Sequence, residues 1–299
     1  MERKPQIKIN RRYPAQERRQ CMRNRLIQAD SRDLRFLKPE SIHLVFTSPP
    51  YFDLKDYGYP GQIGRGQTWP EFYRSVIQVF REMDRLLVPG GIMAINSGTY
   101  TISPTKSKTK TRHEINLPGI FSMYVETYTT MKRVRHYVWD KISAKRLGGK
   151  PYPLKSYGYF EVEYVHVYQK PGQRQVDEET IEMSKLSKKD FQECTASIWP
   201  IHRRAELNFG KNSQHPAPFP PKLADRVVKI YSFAGDLVLD PFCGIGNTCI
   251  AAARNGRDFI GVDMNKKYLE VAKKRLGQMV GLKPFSFEER VIIKSEGEK

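Results

Sequence analysis

Cysteine is scarce in this chain. Four in 299 residues (Cys21, Cys194, Cys243 and Cys249) cannot build a disulfide framework, and no C-x-x-C pair occurs. None has a second cysteine or a histidine at ligand spacing, so a structural zinc site has no support and no metal is expected. Long apolar runs are missing too. Nothing approaches the ~18–20 residues of a membrane span, and the opening MERKPQIKINRRYPAQERR has no signal core. These absences exclude a secreted disulfide scaffold and a membrane protein, and they point to a reducing cytoplasm. Acidic residues are outnumbered, 32 against 51 Lys+Arg, for a formal net charge of +19. Hydrophobic residues, at 39%, still suffice for a buried core of one large domain, with or without a small accessory module.

The positive charge is concentrated. Residues 1–35 balance to +7, residues 36–99 to zero, and residues 100–155 to +9, so two segments hold sixteen of the nineteen excess charges. A neutral core with basic attachments suits a polyanion, because each neutralised phosphate releases counterions. A merely soluble basic surface or an anionic lipid is the alternative. The run KSKTKTR at 106–112 has no apolar period and reads as a mobile loop able to order on DNA.

Apolar runs at 25–29 and 42–46 read as buried parallel strands. Thr68-Trp69-Pro70-Glu71 is a capping box, and the helix behind it puts Phe72, Val76, Val79, Phe80, Met83 and Leu87 on one face. Pro89-Gly90-Gly91 stops that helix before a strand at 92–96. Residues 134–139 and 160–168 alternate as edge strands do. Pro220 and Pro221 open a helix to 231. A strand at 237–240 then runs through Gly244-Ile245-Gly246 into a helix at 248–254, followed by a strand at 259–263 and a helix at 266–279. The alternation predicts an α/β fold, a doubly wound and mostly parallel sheet with helices on both faces.

Two motifs carry chemistry. In the first, Asp240-Pro241-Phe242-Cys243-Gly244-Ile245-Gly246-Asn247, two glycines let a strand-to-helix turn approach a nucleotide-like ligand. The third glycine of a dinucleotide fingerprint is replaced by Cys249, and Asp240 would repel a pyrophosphate while suiting an ammonium group. Asp263 ends the next strand, where an acid can accept from ribose hydroxyls. Together these describe a site for S-adenosylmethionine. In the second, Thr47-Ser48-Pro49-Pro50-Tyr51 at a strand end, the prolines fix carbonyls in space and the tyrosine can stack on a flat base. An ordinary Pro-Pro turn with a packed tyrosine is the bland alternative.

Ser-Pro-Pro-Tyr ahead of Asp-Pro-Phe-x-Gly-x-Gly resembles the beta class of amino-methylating DNA methyltransferases, most closely its N4-cytosine members. The resemblance extends to residues 53–66, to Leu86-Leu87-Val88-Pro89-Gly90-Gly91, to Trp139-Asp140-Lys141, to 163–167 and to His215-Pro216-Ala217-Pro218-Phe219-Pro220. Members with serine first in the tetrapeptide mostly methylate cytosine N4, and those with aspartate mostly adenine N6. Asn247 stands where threonine is commoner. The resemblance implies a Rossmann-like sheet of seven strands with permuted motif order and a small target-recognition insertion. The chain then divides into a basic arm (1–24), a catalytic half (25–169, with a lysine-rich loop at 100–118), a recognition segment (170–214), a cofactor half (215–282) and a tail (283–299).

By the same resemblance Asp240, Phe242, Gly244, Gly246 and Asn247 would line the methionine side of the cofactor and Asp263 would hold its ribose. Asp30 would meet the adenine amino group, and His215, Pro216 and Phe219 would wrap the far side. Ser48 and the carbonyl of Pro49 would accept from the target amine, with Pro50 stiffening the turn and Tyr51 stacking on the base. No nucleophilic residue is needed, and the absence of a Pro-Cys pair counts against covalent C5 chemistry. Double-stranded DNA is the implied partner, with the target base extruded. A cognate restriction endonuclease and a homodimer are compatible with the resemblance, and the implied location is the cytoplasm, on the nucleoid in a prokaryote. Lys106, Lys108, Lys110 and Arg112 are candidate DNA contacts. Arg203 and Arg204 would read guanine edges or only touch phosphates. Lys141 would touch phosphate or the target base, or be a solvated strand end. His43 and His166 read as core histidines, and Cys243 and Cys249 as small apolar packers. Two alternatives stand beside this reading: the same fold acting on adenine N6 or RNA, and a silent nucleic-acid-binding protein.

Overall fold

A computed structural model of the chain describes residues 23–105, 110–142, 161–202, 218–279, 281–282 and 284–290. Its strands are β1 (Asn24–Gln28), β2 (Ile42–Thr47), β3 (Leu87–Ser97), β4 (Thr99–Ile102), β5 (His113–Asn116), β6 (Lys132–Asp140), β7 (Val162–Gln169), β8 (Ile198–Pro200), β9 (Leu237–Asp240), β10 (Asp258–Asp263) and β11 (Phe285–Glu289). Its helices are α1 (Trp69–Leu86), α2 (Leu117–Tyr128), α3 (Glu178–Met183), α4 (Lys188–Thr195), α5 (Pro221–Tyr231), α6 (Asn247–Arg254) and α7 (Lys266–Gly277). None is long and apolar enough to cross a membrane.

Nine of these strands form one sheet in the order β11-β1-β10-β9-β2-β3-β7-β6-β8. Only β7 runs against its neighbours; every other pairing is parallel. The seven expected strands fill the middle, and two more extend the edges. At one end β11 pairs with β1 because Arg25 forks onto Glu288, at 2.7 and 2.8 Å, and Phe285 packs on Phe259. Residues 285–289, expected to belong to a tail, are therefore a sheet edge. At the other end β8 pairs with β6, and Trp199 is buried there with its ring stacked on Tyr137 at 4.2 Å. Residues 170–202, expected as part of a recognition segment, pack onto the sheet through that edge. Arg174 of the same stretch forks onto Asp236 at 2.9 and 2.6 Å.

The central strands are buried on both faces, which explains their unbroken apolar runs. One core cluster lies under α1 and α2, and a second under α5, α6 and α7. The capping box of α1 forms as its sequence predicts, with Glu71 accepting from the backbone and hydroxyl of Thr68 at 2.7 and 2.8 Å. The helix ends one turn position early. Leu86 takes the last buried place, while Leu87 is extended and pairs with Ile42 as the first residue of β3. Pro89-Gly90-Gly91 then makes an irregularity inside β3 rather than a loop before it.

Candidate active site

The tetrapeptide leaves the end of β2, in the middle of the sheet, where parallel strands deliver functional groups to one rim. Ser48 is partly exposed, and Pro49 and Pro50 are buried behind it. The chain after Tyr51 is pinned. Phe52 stacks on Trp69 at 3.8 Å, its carbonyl accepts from the Tyr100 hydroxyl at 3.1 Å, and Asp53 N–H donates to the carbonyl of Gly64 at 3.0 Å. Gly64 has φ +89°, and a Cβ there would sit 2.9 Å from the carbonyl oxygen of Tyr51, so only glycine closes this loop. The Tyr51 ring leans against Tyr100 at 6.0 Å, and burial raises its hydroxyl's pKa well above the ordinary value.

The glycine turn follows β9, next to β2. Asp240 is 1% exposed, accepting from the Thr248 hydroxyl at 2.6 Å and from Phe242 N–H at 3.0 Å. Asp263, at the end of β10, accepts from Gly244 N–H at 2.9 Å on one oxygen and from Asn265 N–H at 2.8 Å on the other. Burial pushes the carboxyl of Asp240 up to about 6 and that of Asp263 up to about 7. Gly244 and Gly246 take positive φ, +49° and +82°. Asn247 opens α6, donating to the carbonyl of Phe219 at 2.6 Å and accepting from Arg275 at 2.8 Å, and so ties the strap before α5 to the turn.

The two motifs line one cleft of about 510 Å³. Ser48, Pro49, Pro50 and Tyr51 line it from the tetrapeptide, Phe242, Cys243, Ile245, Asn247 and Asp263 from the glycine turn and the end of β10, and Phe219 from the strap before α5. Two of the expected cofactor residues, Asp30 and Asp240, are not among those lining the cleft. Asp30 is 2% exposed, and both its oxygens are held by Arg32, two residues on. A buried carboxylate needs such a partner. Asp240 faces inward to brace the turn. Gly244 and Gly246 shape the turn without lining the cleft.

Lys110 and Arg112 lie between β4 and β5 and are not among the residues lining the cleft; Arg112 donates to Thr101 at 3.2 Å. Lys106, Lys108, Arg203, Arg204, His215 and Pro216 lie outside the described residues. Lys141 does line the cleft. His43 accepts from Leu237 N–H at 3.0 Å, burial lowers the pKa of His166 to about 4, and neither histidine lines the cleft. Cys243 and Cys249 are packed against Gly261, where an added Cβ would meet either sulfur within 2.9 Å.

Sequence reasoning missed Asn96, Trp139, Glu163, Tyr57 and Tyr268, all of which line the cleft. The signal for Asn96 was available, since it is a polar residue at the carboxyl end of an otherwise apolar strand. Glu163 could be found only through the antiparallel register that sets it opposite Trp139.

The permuted sheet, with both motifs on one rim, defines the class of nucleic-acid amino-methylases. The sequence profile of the DNA methylase family, which covers N6 and N4 enzymes, matches residues 42–274, and the chain belongs to that family. Its fold resembles that of TTHA0409 from Thermus thermophilus, solved in complex with S-adenosyl-L-methionine. The TM-score is 0.72 at 31% identity, over 90% of this chain and 99% of that one. The Type II methyltransferase M.MthZI of Methanothermobacter thermautotrophicus is 27% identical over 285 residues, covering 87% of this chain and 78% of its own length. The PvuII cytosine-N4-specific DNA methyltransferase shares the fold alone, with TM-score 0.59 at 20% identity over 87% of this chain and 88% of that one.

Proposed function

We propose that this S-adenosyl-L-methionine-dependent DNA methyltransferase acts at a specific sequence, on the exocyclic N4 amine of a cytosine swung out of the duplex. The observation that carries the reading is the single cleft shared by Ser48–Tyr51 and by the turn from Phe242 to Asn247 with Asp263. S-adenosyl-L-methionine is the cofactor. The donor set fits it: a buried carboxylate for ribose hydroxyls in Asp263, apolar walls in Phe242 and Ile245, and a volume suited to a ligand of that size. When bound, the cofactor supplies an electrophilic methyl group on a sulfonium.

The chain's own residues work on the amine. An amine conjugated to cytosine is a poor nucleophile. Two acceptors, Ser48 Oγ and the Pro49 carbonyl, draw its hydrogens out of conjugation and aim the nitrogen lone pair. They bind most tightly as the nitrogen gains charge, which is where acceleration comes from. Tyr51 holds the ring plane, and the buried prolines keep the carbonyl fixed. Serine in place of aspartate at residue 48 supports cytosine over adenine. The basic stretches within 1–35 and 100–155 support a DNA partner, and sequence readout is assigned to the segment 170–214. Pairing with a restriction endonuclease fits the Type II relatives.

The test is to incubate the protein with unmethylated genomic DNA and methyl-labelled S-adenosylmethionine, digest to nucleosides and identify the labelled one by mass spectrometry. N4-methylcytosine is the expected product. N6-methyladenine would overturn the base choice, and no label on DNA or RNA would favour a silent binding protein.

A further inference from the structure

Cytosine presents more than its amine. Beside N4 lie two acceptors, N3 and O2, whereas adenine has one acceptor, N1, beside its amine and a C–H beyond it. Ser48 Oγ and the Pro49 carbonyl serve the amine as acceptors, so the neighbouring edge needs a donor. Three adjacent strands bring a candidate to the same rim. Asn96 is on β3, Glu163 on β7, and Lys141 follows β6, where its N–H continues the ladder to the carbonyl of Glu161 at 2.9 Å. All three line the cleft with Ser48.

Their side chains form one chain of contacts. Glu163 takes the Lys141 ammonium on one carboxylate oxygen at 2.8 Å and the Asn96 amide N–H on the other at 2.7 Å. Asn96 Oδ1 is buried without a partner, so this amide is oriented toward Glu163 at the cost of its own carbonyl. Gly98 makes room, since a Cβ there would lie 2.7 Å from Glu163 Cγ. Lys141 also lies 5.9 Å from the centre of the Trp139 ring. The ammonium has three N–H groups and the carboxylate takes one. The lysine and glutamate side chains are each only 19% exposed, a poor situation for reaching an outer phosphate.

We propose that Lys141 donates to the N3/O2 edge of the extruded cytosine and so sets base choice, with Glu163 and Asn96 as positioning residues that hold its ammonium on the cleft wall. The inference rests on the N4-cytosine reading above. It makes the site discriminate by a hydrogen bond that adenine can return only in part.

The test compares the wild-type protein with Lys141→Met, Lys141→Gln and Glu163→Gln, using genomic DNA, labelled S-adenosylmethionine and nucleoside mass spectrometry, together with DNA affinity across a salt series. Both Lys141 variants should form N4-methylcytosine about 100-fold more slowly. They should keep their thermal stabilisation by S-adenosylmethionine and an unchanged salt slope of DNA binding. Glu163→Gln should lower kcat about tenfold with KM for DNA unchanged. Wild-type rates in the Lys141 variants would overturn the proposal. So would a salt slope reduced by about one with the rate restored at saturating DNA, which marks a phosphate contact. A wild-type product of N6-methyladenine would instead overturn the cytosine reading itself, before any variant is compared.

Discussion

Asp263 Oδ2 accepts the backbone N–H of Gly244 at 2.9 Å, joining the end of β10 to the turn after β9. The acid meant for a ligand therefore also holds the glycine turn in shape. Its carboxyl is pushed up to about 7 by burial, so the group changes charge near neutrality. Ribose hydroxyls bind best to the ionised acceptor. Affinity for S-adenosylmethionine should fall roughly tenfold from pH 8 to pH 6, and Asp263→Asn should flatten that dependence. Calorimetric titration at the two pH values checks it. Without ligand the sign reverses for stability. A carboxyl whose folded pKa is raised holds its proton in the folded state between about 4 and 7, so its contribution is present at acid pH and lost as pH rises through that window.

Asp240 is a brace, and its removal should be read in stability. Asp240→Ala strands the Phe242 N–H and leaves the Thr248 hydroxyl only the longer contact to the Phe46 carbonyl at 3.4 Å, at a cost of about 1–3 kcal/mol. Asp240→Asn keeps an acceptor and should cost less. An unchanged melting temperature in Asp240→Ala would remove the carboxylate from the support of the turn.

Ser48→Ala and Tyr51→Ala should separate transfer from cofactor binding. Each should lower the transfer rate by ~10²–10³ while leaving the dissociation constant for S-adenosylmethionine within about twofold. Single-turnover transfer and calorimetry measure the two quantities. Equal loss in both would mean that the tetrapeptide only supports the cofactor pocket.

Trp199→Ala should destabilise the whole fold. The ring is buried, stacked on Tyr137, and its indole N–H donates to the carbonyl of Cys194 at 3.1 Å. A loss of about 3–5 kcal/mol in urea unfolding is expected. A loss under about 1 kcal/mol would mean that residues 170–202 fold apart from the sheet.

Much of the fold was legible because its signals are local. The capping box at Thr68, the apolar runs of β2 and β9 and the glycines at 244 and 246 act within a few residues. The missed elements lack such signals. In α2, proline and glycine occupy the first turn, and the start is fixed by Asn116 accepting from Gly119 N–H at 3.2 Å. The three residues of β8 include a proline and form a strand only because β6 leaves an edge to pair with. β11 is half polar and is held by Arg25, 263 positions away.

The site divides the same way. The sequence by itself determined the chemistry on offer: a serine with two prolines and an aromatic, a glycine turn, and acids at strand ends. Tertiary structure decided which of those groups face the cleft. Asp240 and Asp30 were equal to Asp263 as sequence features. Burial then gave the first to Thr248 and the second to Arg32, because a carboxylate taken out of water keeps whichever donors the fold puts beside it. Lys141, Glu163 and Asn96 meet only through the register of three strands, and no spacing along one chain encodes a register.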